Sequence, residues 1–303
     1  MENNINMKHA APIGGVWERI VTFGRMIKFS HTVFALPFAL AAVILTQRVR
    51  HLTVWRLGWL LVAMVGARSA AMGFNRIADA HLDKKNPRTA GREIPTGKLS
   101  KQAAIAFVIL FSGLFILSAA IFGRLCLYLS FPVLLLLFSY SYTKRFTVLC
   151  HLYLGLTISL APLGTWIALT GGFRWSILLL SLALMTYIAG FDVLYACQDI
   201  AFDQKEGLCS IPVRFGPSRA LRTAVGLHAA SLGFFFWLFF AFHMGAVYLA
   251  AVGIIGLLMV IEHRLVKPDD LSRVNIAFFH MNSLISLTLF VGVLADELMR
   301  RSL

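Results

Sequence analysis

Acidic residues are scarce in this chain: Asp and Glu supply 14 of 303 residues, against 28 Lys and Arg, and charged residues make up only 14% of the total. With 58% hydrophobic residues and a mean hydropathy of +0.76, this composition excludes an ordinary soluble domain and predicts an integral membrane protein. Cysteine is also rare, and no CxxC or similar spacing argues for a zinc site or a disulfide framework. The four cysteines are Cys126, Cys150, Cys197 and Cys209.

Apolar runs long enough to cross a bilayer recur along the whole chain. A helix of about 20 residues spans the hydrocarbon core, and only helices and closed barrels satisfy their own backbone hydrogen bonds in lipid. The runs lack the period-two alternation of barrel strands. We therefore predict an all-α fold, a single polytopic helical bundle over residues 1–303 with about nine transmembrane helices. The predicted spans are 30–47, 57–75, 103–123, 125–143, 150–170, 175–196, 221–241, 246–262 and 276–295.

The distribution of Lys and Arg predicts how the bundle is oriented. With loops assigned alternately to the two sides, 20 of these residues fall on the side of the N-terminus, 7 on the other side, and Arg68 within a span. The positive-inside rule then places the N-terminus and the long loops in the cytoplasm. Residues 1–29 are predicted to be a cytoplasmic lead-in whose segment 16–29 is amphipathic. The basic charge thus reflects membrane topology, and no nucleic-acid partner is predicted.

Half of the acidic residues lie in two polar stretches, 75–97 and 192–206, that follow the second and sixth predicted spans. Four spans separate them, so both stretches are expected on the cytoplasmic side, within catalytic loops at 76–101 and 197–222. Residues four and eight apart share a face of a helix, so each stretch predicts a polar stripe. The two stripes repeat one spacing at a constant offset of 120: Asn75, Asp79, Asp83 and Tyr195, Asp199, Asp203.

Two facing stripes would bring four carboxylates together beside basic side chains. Carboxylates with substrate phosphates are typical Mg²⁺ ligands, and Lys and Arg recognise phosphate, so a diphosphate held by Mg²⁺ and a basic rim fits the pattern. The alternative is that these are ordinary solvated acids at helix ends, forming salt bridges with nearby lysines. The repetition in an acid-poor chain favours the first interpretation.

At these residues the chain resembles the UbiA superfamily of intramembrane prenyltransferases. Asn75-x3-Asp79-x3-Asp83 resembles the first Asp-rich motif of that family, and Asp192-x2-Tyr195-x3-Asp199-x3-Asp203 resembles the second. The segments 88-RTAGREIPTG-97 and 142-YTKRFT-147, with Arg68, resemble further family features. Within the family, 28-KFSHTVFALPFAL-40 is most similar to bacterial 4-hydroxybenzoate polyprenyltransferases. The chain departs from the family at Arg76, where many members have Asp, and at Glu93, where many have Pro.

The resemblance implies transfer of a polyprenyl group from its diphosphate to an aromatic acid at the cytoplasmic side of a bacterial inner membrane. It implies Mg²⁺ as the cofactor, held by Asp79, Asp83, Asp199 and Asp203, with Asn75 helping. Tyr195 is expected to bind phosphate, orient an Asp or simply pack, and Asp192 to take the proton that the ring releases. Arg88 and Arg92 are expected to clamp the loop or a carboxylate of the acceptor. The remaining candidate diphosphate partners are Arg68, Lys84, Lys144, Arg145, Lys205 and Arg214.

Two alternatives stay open at the sequence level. The preferred acceptor is 4-hydroxybenzoate, a ubiquinone precursor, and a dihydroxynaphthoate of menaquinone synthesis is the alternative. Outside this enzyme class, an ion-coupled transporter would also use membrane acids, but such acids usually lie near the bilayer midplane. No protein partner can be inferred from the sequence.

Overall fold

The protein is analysed as a computed structural model that describes residues 15–27, 32–267, 270–271, 274 and 277–302. Within these residues every regular element is helical, which confirms the all-α prediction. Residues 1–14, 28 and 29 of the predicted lead-in, and residues 30, 31 and 276 of the predicted spans, lie outside the described residues. The helices are α1 Val16–Met26, α2 Thr32–Thr46, α3 Val54–Ala78, α4 Ala80–Lys85, α5 Lys101–Phe122, α6 Arg124–Thr143, α7 Cys150–Thr170, α8 Trp175–Ala196, α9 Ile200–Lys205, α10 Ile211–Phe215, α11 Pro217–Ala241, α12 Ala246–Leu265 and α13 Asn282–Ser302.

Eight helical segments among the described residues are long and apolar enough to cross a membrane. They match eight of the nine predicted spans, often within one or two residues at each end. The segment for the predicted span 30–47 is a shorter apolar helix, α2. The prediction placed the last span too early, because α13 runs to Ser302 after a π-helical turn at Ala277–Met281.

Helix α8 is the centre of the bundle. It packs against α2, α7 and α11, and most of its residues are buried, including Ile177, Leu184 and Tyr187. A helix that is apolar on every side belongs in the interior of a helical assembly. Close packing uses small residues: Gly66 of α3 lies against the backbone of α5, where an added Cβ would come within 3.0 Å of Phe111 O.

Both acidic stretches begin where a long helix is interrupted. Helix α3 ends at Ala78 and the short α4 follows, while α8 passes through a 3₁₀ turn, Cys197–Asp199, into α9. The backbone still advances with helical spacing, because Asp79 N–H donates to Asn75 O at 2.9 Å and Asp83 N–H to Asp79 O at 2.8 Å. The two predicted loops therefore contain short helices, and α11 already begins at Pro217 inside the predicted loop 197–222.

Candidate active site

The first acidic stretch is held by its own neighbours and by the turn after α6. Asn75 Nδ2 donates to Asp79 Oδ2 at 2.8 Å, and Arg145 Nη2 lies 3.2 Å from Asp79 Oδ1. Burial raises the pKa of the Asp79 carboxyl, and the hydrogen bonds from Arg145 and Asn75 only partly offset this. Asp79 is therefore a carboxylate whose negative charge is incompletely compensated.

Asp83 is paired with an arginine of its own loop. Arg92 Nη1 lies 2.6 Å and 2.7 Å from the two carboxylate oxygens, and Thr89 Oγ1 donates to the Asp83 carbonyl. The side chain of Asp83 is buried. These bonds fold the segment after α4 back over the helix end. That Arg92 clamps the loop or a carboxylate of the acceptor stays a prediction.

Asp199 joins the two acidic stretches directly. Arg88, from the first stretch, donates through Nε and Nη2 to the two Asp199 oxygens at 2.9 and 2.5 Å, and through Nη1 to Tyr195 Oη at 2.9 Å. Asn86 Nδ2 adds a contact to Asp199 Oδ1 at 3.3 Å. Burial acts to lower the pKa of Arg88, but the hydrogen bonds and charge of Asp199 outweigh it, so that pKa is raised. The Arg88 guanidinium thus binds the Asp199 carboxylate through two parallel hydrogen bonds, a strong, charge-assisted arrangement.

Asp203 has the least satisfied carboxylate of the four. Its side chain is 0% exposed, and the Lys144 ammonium lies 2.8 Å from Oδ1. The other oxygen, Oδ2, has no hydrogen-bond partner among the described residues. The main chain fixes Lys144 here, since Cys209 N–H donates to the Lys144 carbonyl at 2.7 Å. A buried carboxylate with free lone pairs is what a cation-binding site offers.

These contacts confirm that the two acidic stretches meet at one end of the bundle. A further ion pair, Lys85 Nζ to Glu206 Oε2 at 2.7 Å, also connects them. Which side of the membrane this end faces stays a prediction.

Other predicted site residues lie apart from the acids. Lys84, Lys205 and Arg214 are exposed, and the ion pairs of the described part of the chain include none of the three. Arg68 is half-buried within α3, seven residues before Asn75. These four residues stay predicted diphosphate partners.

Arg76, the departure from the family pattern, does not join the acid stripe. It is 4% exposed, and its Nε donates to the carbonyl of Met26 at 3.0 Å, so it connects α3 to the amphipathic helix α1. The basic side chain at this position therefore has a structural contact of its own.

Several polar partners in the site were not singled out from the sequence. His151 Nδ1 lies 2.6 Å from Asp192 Oδ2, and Ser141 Oγ lies 3.4 Å from Asn75 Nδ2. Asn86 contacts Asp199, and Glu206 contacts Lys85. Asn86 precedes a proline and stands beside the first motif, a turn signal that marked the loop but not its contact. His151 is a lone histidine at the start of an apolar run and gave no spacing signal.

The donor set suits Mg²⁺ bound together with a substrate. Within the part of the chain that the structure describes, no three His, Cys, Asp or Glu side chains lie together as a ready-made metal site. Mg²⁺ is commonly held by one or two carboxylates plus waters and substrate phosphates. The oxygen ligands present, and above all Oδ2 of Asp203, fit that arrangement.

Comparison with known proteins identifies the family. Residues 35–284 match the model of the UbiA prenyltransferase family. The chain belongs to that family. It is 30% identical over 258 residues to a 4-hydroxybenzoate octaprenyltransferase of Chromohalobacter salexigens, covering 78% of this chain and 80% of that one. A protein of the same name from Methylobacillus flagellatus is 28% identical over 236 residues, covering 78% and 79%.

Solved structures agree with this assignment. A UbiA homolog from Aeropyrum pernix K1, in its apo form, superposes with a TM-score of 0.80 at 32% identity, covering 88% of this chain and 98% of that one. A UbiA homolog from Archaeoglobus fulgidus, bound to DMAPP and Mg²⁺, has a TM-score of 0.69 at 19% identity, covering 90% and 99%. The second likeness shows a shared fold. The protein is thus a multi-pass membrane prenyltransferase of the UbiA type.

Proposed function

We propose that the protein transfers a polyprenyl group from polyprenyl diphosphate to an aromatic acid, with Mg²⁺ as cofactor, in quinone biosynthesis. The observation that carries the proposal is the end of the bundle where Arg88 and Lys144 reach across to Asp199 and Asp203. Apolar helices lie beneath this end and suit an isoprenoid chain. The charged groups above suit a diphosphate and its counter-ions.

The proposed metal ligands are the carboxylates at the helix interruptions. Bound Mg²⁺ neutralises the diphosphate, so that the leaving group can depart from the allylic carbon. Two observations support this role: Oδ2 of Asp203 has no hydrogen-bond partner among the described residues, and the charge of Asp79 is incompletely compensated. The full proposed set is Asn75, Asp79, Asp83, Asp199 and Asp203.

Basic side chains that now pair with the acids are proposed to bind the diphosphate as well. The side chains of Lys144 and Arg145 are 35% and 39% exposed, so each can turn from its carboxylate to a phosphate oxygen. Arg88 is 32% exposed and contacts both Asp199 and Tyr195. A positive group that neutralises the leaving diphosphate lowers the barrier to breaking the allylic C–O bond.

For the acceptor we propose 4-hydroxybenzoate, which appears in the names of several curated relatives. The alternative is a dihydroxynaphthoate. The dihydroxynaphthoate remains an alternative because at Arg76 a buried guanidinium replaces the acid that many family members have at this position. Membership of the prenyltransferase family argues against the transporter, as does the position of the acids at the end of the helices.

The test is prenyl transfer in membranes that contain the protein, with an allylic polyprenyl diphosphate and either 4-hydroxybenzoate or a dihydroxynaphthoate. We expect a prenylated product that requires Mg²⁺ and is lost in Asp79→Ala and Asp199→Ala. Formation of only the naphthoate product would reassign the acceptor. Folded protein that binds the donor but prenylates neither acceptor would overturn the proposed function.

A further inference from the structure

A histidine–carboxylate pair lies deeper in the bundle than the four acids. His151, the second residue of α7, has its Nδ1 2.6 Å from Oδ2 of Asp192 on α8. The other ring nitrogen, Nε2, lies 3.4 Å from the backbone N–H of Ile211, at the start of α10. The His151 side chain is 2% exposed and that of Asp192 is 26% exposed. The imidazole is thus enclosed, while the carboxylate is reachable.

The partners of His151 determine which nitrogen carries the hydrogen. A backbone N–H can only donate, so Nε2 faces Ile211 with its lone pair. The hydrogen of the neutral ring is then on Nδ1 and points at Asp192, and the histidine donates to the carboxylate. A histidine locked in this way fixes the orientation of the acid that it contacts.

Asp192 is placed where a ring proton would be released. It precedes Tyr195 by three residues, so the two lie on one side of α8, and Asp199 follows in the 3₁₀ turn, seven residues after Asp192. Seven helical residues correspond to about 10 Å along the axis, which places Asp192 below the acids that face the diphosphate. An acceptor ring that attacks the allylic carbon must lie on the bundle side of that diphosphate. The carboxylate of Asp192 is therefore on the correct side for it.

We propose that His151 is a positioning residue that holds the Asp192 carboxylate oriented to take the proton from the prenylated ring carbon. This inference rests on the proposed function. In the reaction a C–C bond forms between the allylic carbon and the ring, and the allylic C–O bond breaks as diphosphate leaves with the electron pair. The ring C–H bond then breaks, its electrons restore aromaticity, and the proton passes to the Asp192 carboxylate. The competing explanation is that His151 only joins α7, α8 and α10.

The kinetics of ring-deuterated 4-hydroxybenzoate distinguish these roles. If ring deprotonation is fast in the unaltered protein, deuteration has no effect on its rate. In His151→Ala we expect kcat to fall by about 10- to 100-fold, with little change in KM for the donor. A normal primary isotope effect should appear in that variant, because removal of the ring proton becomes rate-limiting. A purely structural contact would lower stability without making the rate depend on ring deuteration.

Two further variants sharpen the test. His151→Asn carries an amide N–H near the position of Nδ1, so we expect it to restore most of the rate and to remove the isotope effect. Asp192→Asn keeps the shape but cannot take the proton, so it should be slower than His151→Ala. Because it retains a similar volume, it also keeps the proposal testable if His151→Ala does not fold. The matched control is His228→Ala on α11, where an equally buried histidine contacts the Tyr187 carbonyl, outside the site.

The outcomes distinguish a failure of this inference from a failure of the proposed function. If the unaltered protein prenylates the acceptor but neither His151→Ala nor Asp192→Asn shows an isotope effect, the positioning role is wrong and the function stands. The same conclusion follows if His151→Asn is as slow as His151→Ala. If the unaltered protein prenylates no acceptor, the proposed function fails and this inference fails with it.

Discussion

Acidic residues meet basic ones at both ends of the bundle, but the two ends satisfy their charges differently. At the end away from the proposed site, Glu297 of α13 accepts from Arg48 Nε at 2.7 Å and from Arg301 Nε at 3.1 Å. Its neighbour Asp296 accepts from the backbone N–H groups of Gly245 and Tyr248, at the start of α12. Each of these carboxylates is hydrogen-bonded, and they join α2, α12 and α13.

At the proposed site, the acids are held by side chains that are one-fifth to two-fifths exposed and come from loops and turns. The Asp203 oxygen Oδ2 has no hydrogen bond among the described residues. A saturated ion pair at a helix junction serves the fold, whereas a buried carboxylate left unsaturated costs free energy unless something binds it. Substitutions at the two ends should therefore differ in whether they lower activity or stability.

Removal of the metal should have the largest effect, and only on activity. With EDTA we expect prenyl transfer to fall by about 10³-fold or more, because several kcal/mol of charge stabilisation are lost. The unfolding temperature in detergent should hardly change, since Arg88, Arg92 and Lys144 pair with the acids. Added Mg²⁺ should restore the rate. Loss of folded protein on chelation would contradict the proposed difference between the ends.

The Asp203→Asn substitution should have the next largest effect, again on activity. The variant keeps the side-chain volume but loses the charge, so we expect a fall of about 100-fold or more in transfer rate. The free energy of unfolding should stay within about 1 kcal/mol, because Lys144 is 35% exposed and can turn to solvent. The rate is measured in membranes and the stability by thermal unfolding. An Asp203→Asn protein with normal activity would remove Asp203 from the site.

Glu297→Ala should show the reverse pattern. It leaves Arg48, whose side chain is 12% exposed, without its carboxylate near the carbonyl of Phe242. We expect a loss of roughly 2–3 kcal/mol in the free energy of unfolding, somewhat less than for a fully buried pair, because Arg300 and Arg301 are half exposed. Below the unfolding temperature the transfer rate should be normal. A large loss of rate in protein that is still folded would mean that the far end also serves catalysis.

The spans and the pairing of the two acidic stretches could be predicted because they depend on local features of the sequence. A run of about 20 apolar residues fixes a span, and an offset of four spans fixes a common end of the bundle. The ends of the helices were accurate where polar residues bound the apolar run, as at Cys150–Thr170 and Trp175–Ala196.

The partner of each acid could not be predicted, because it depends on contacts between distant segments. Arg88 meets Asp199 across 111 positions of sequence, and His151 meets Asp192 across 41. Several nearby cations, among them Lys84 and Lys205, were equally plausible by spacing. Only the folding of the loops over the helix ends selects Arg88, Arg92 and Lys144.

The smallest effect should come from the exposed pair between the two acidic stretches. Lys85 is 45% exposed and Glu206 is 15% exposed, so solvent screens their attraction although the atoms lie 2.7 Å apart. Lys85→Ala and Glu206→Ala should each change the free energy of unfolding by less than about 1 kcal/mol, and a double-mutant cycle should give a coupling of about 0.2–1 kcal/mol that declines in high salt. Transfer should stay close to that of the unaltered protein, because neither residue contacts the four acids. A fall in rate as steep as that of Asp203→Asn would mean that closure of the two loops over the substrate depends on this pair. The exposure of a side chain alone would then not distinguish the residues that serve catalysis from those that serve the fold.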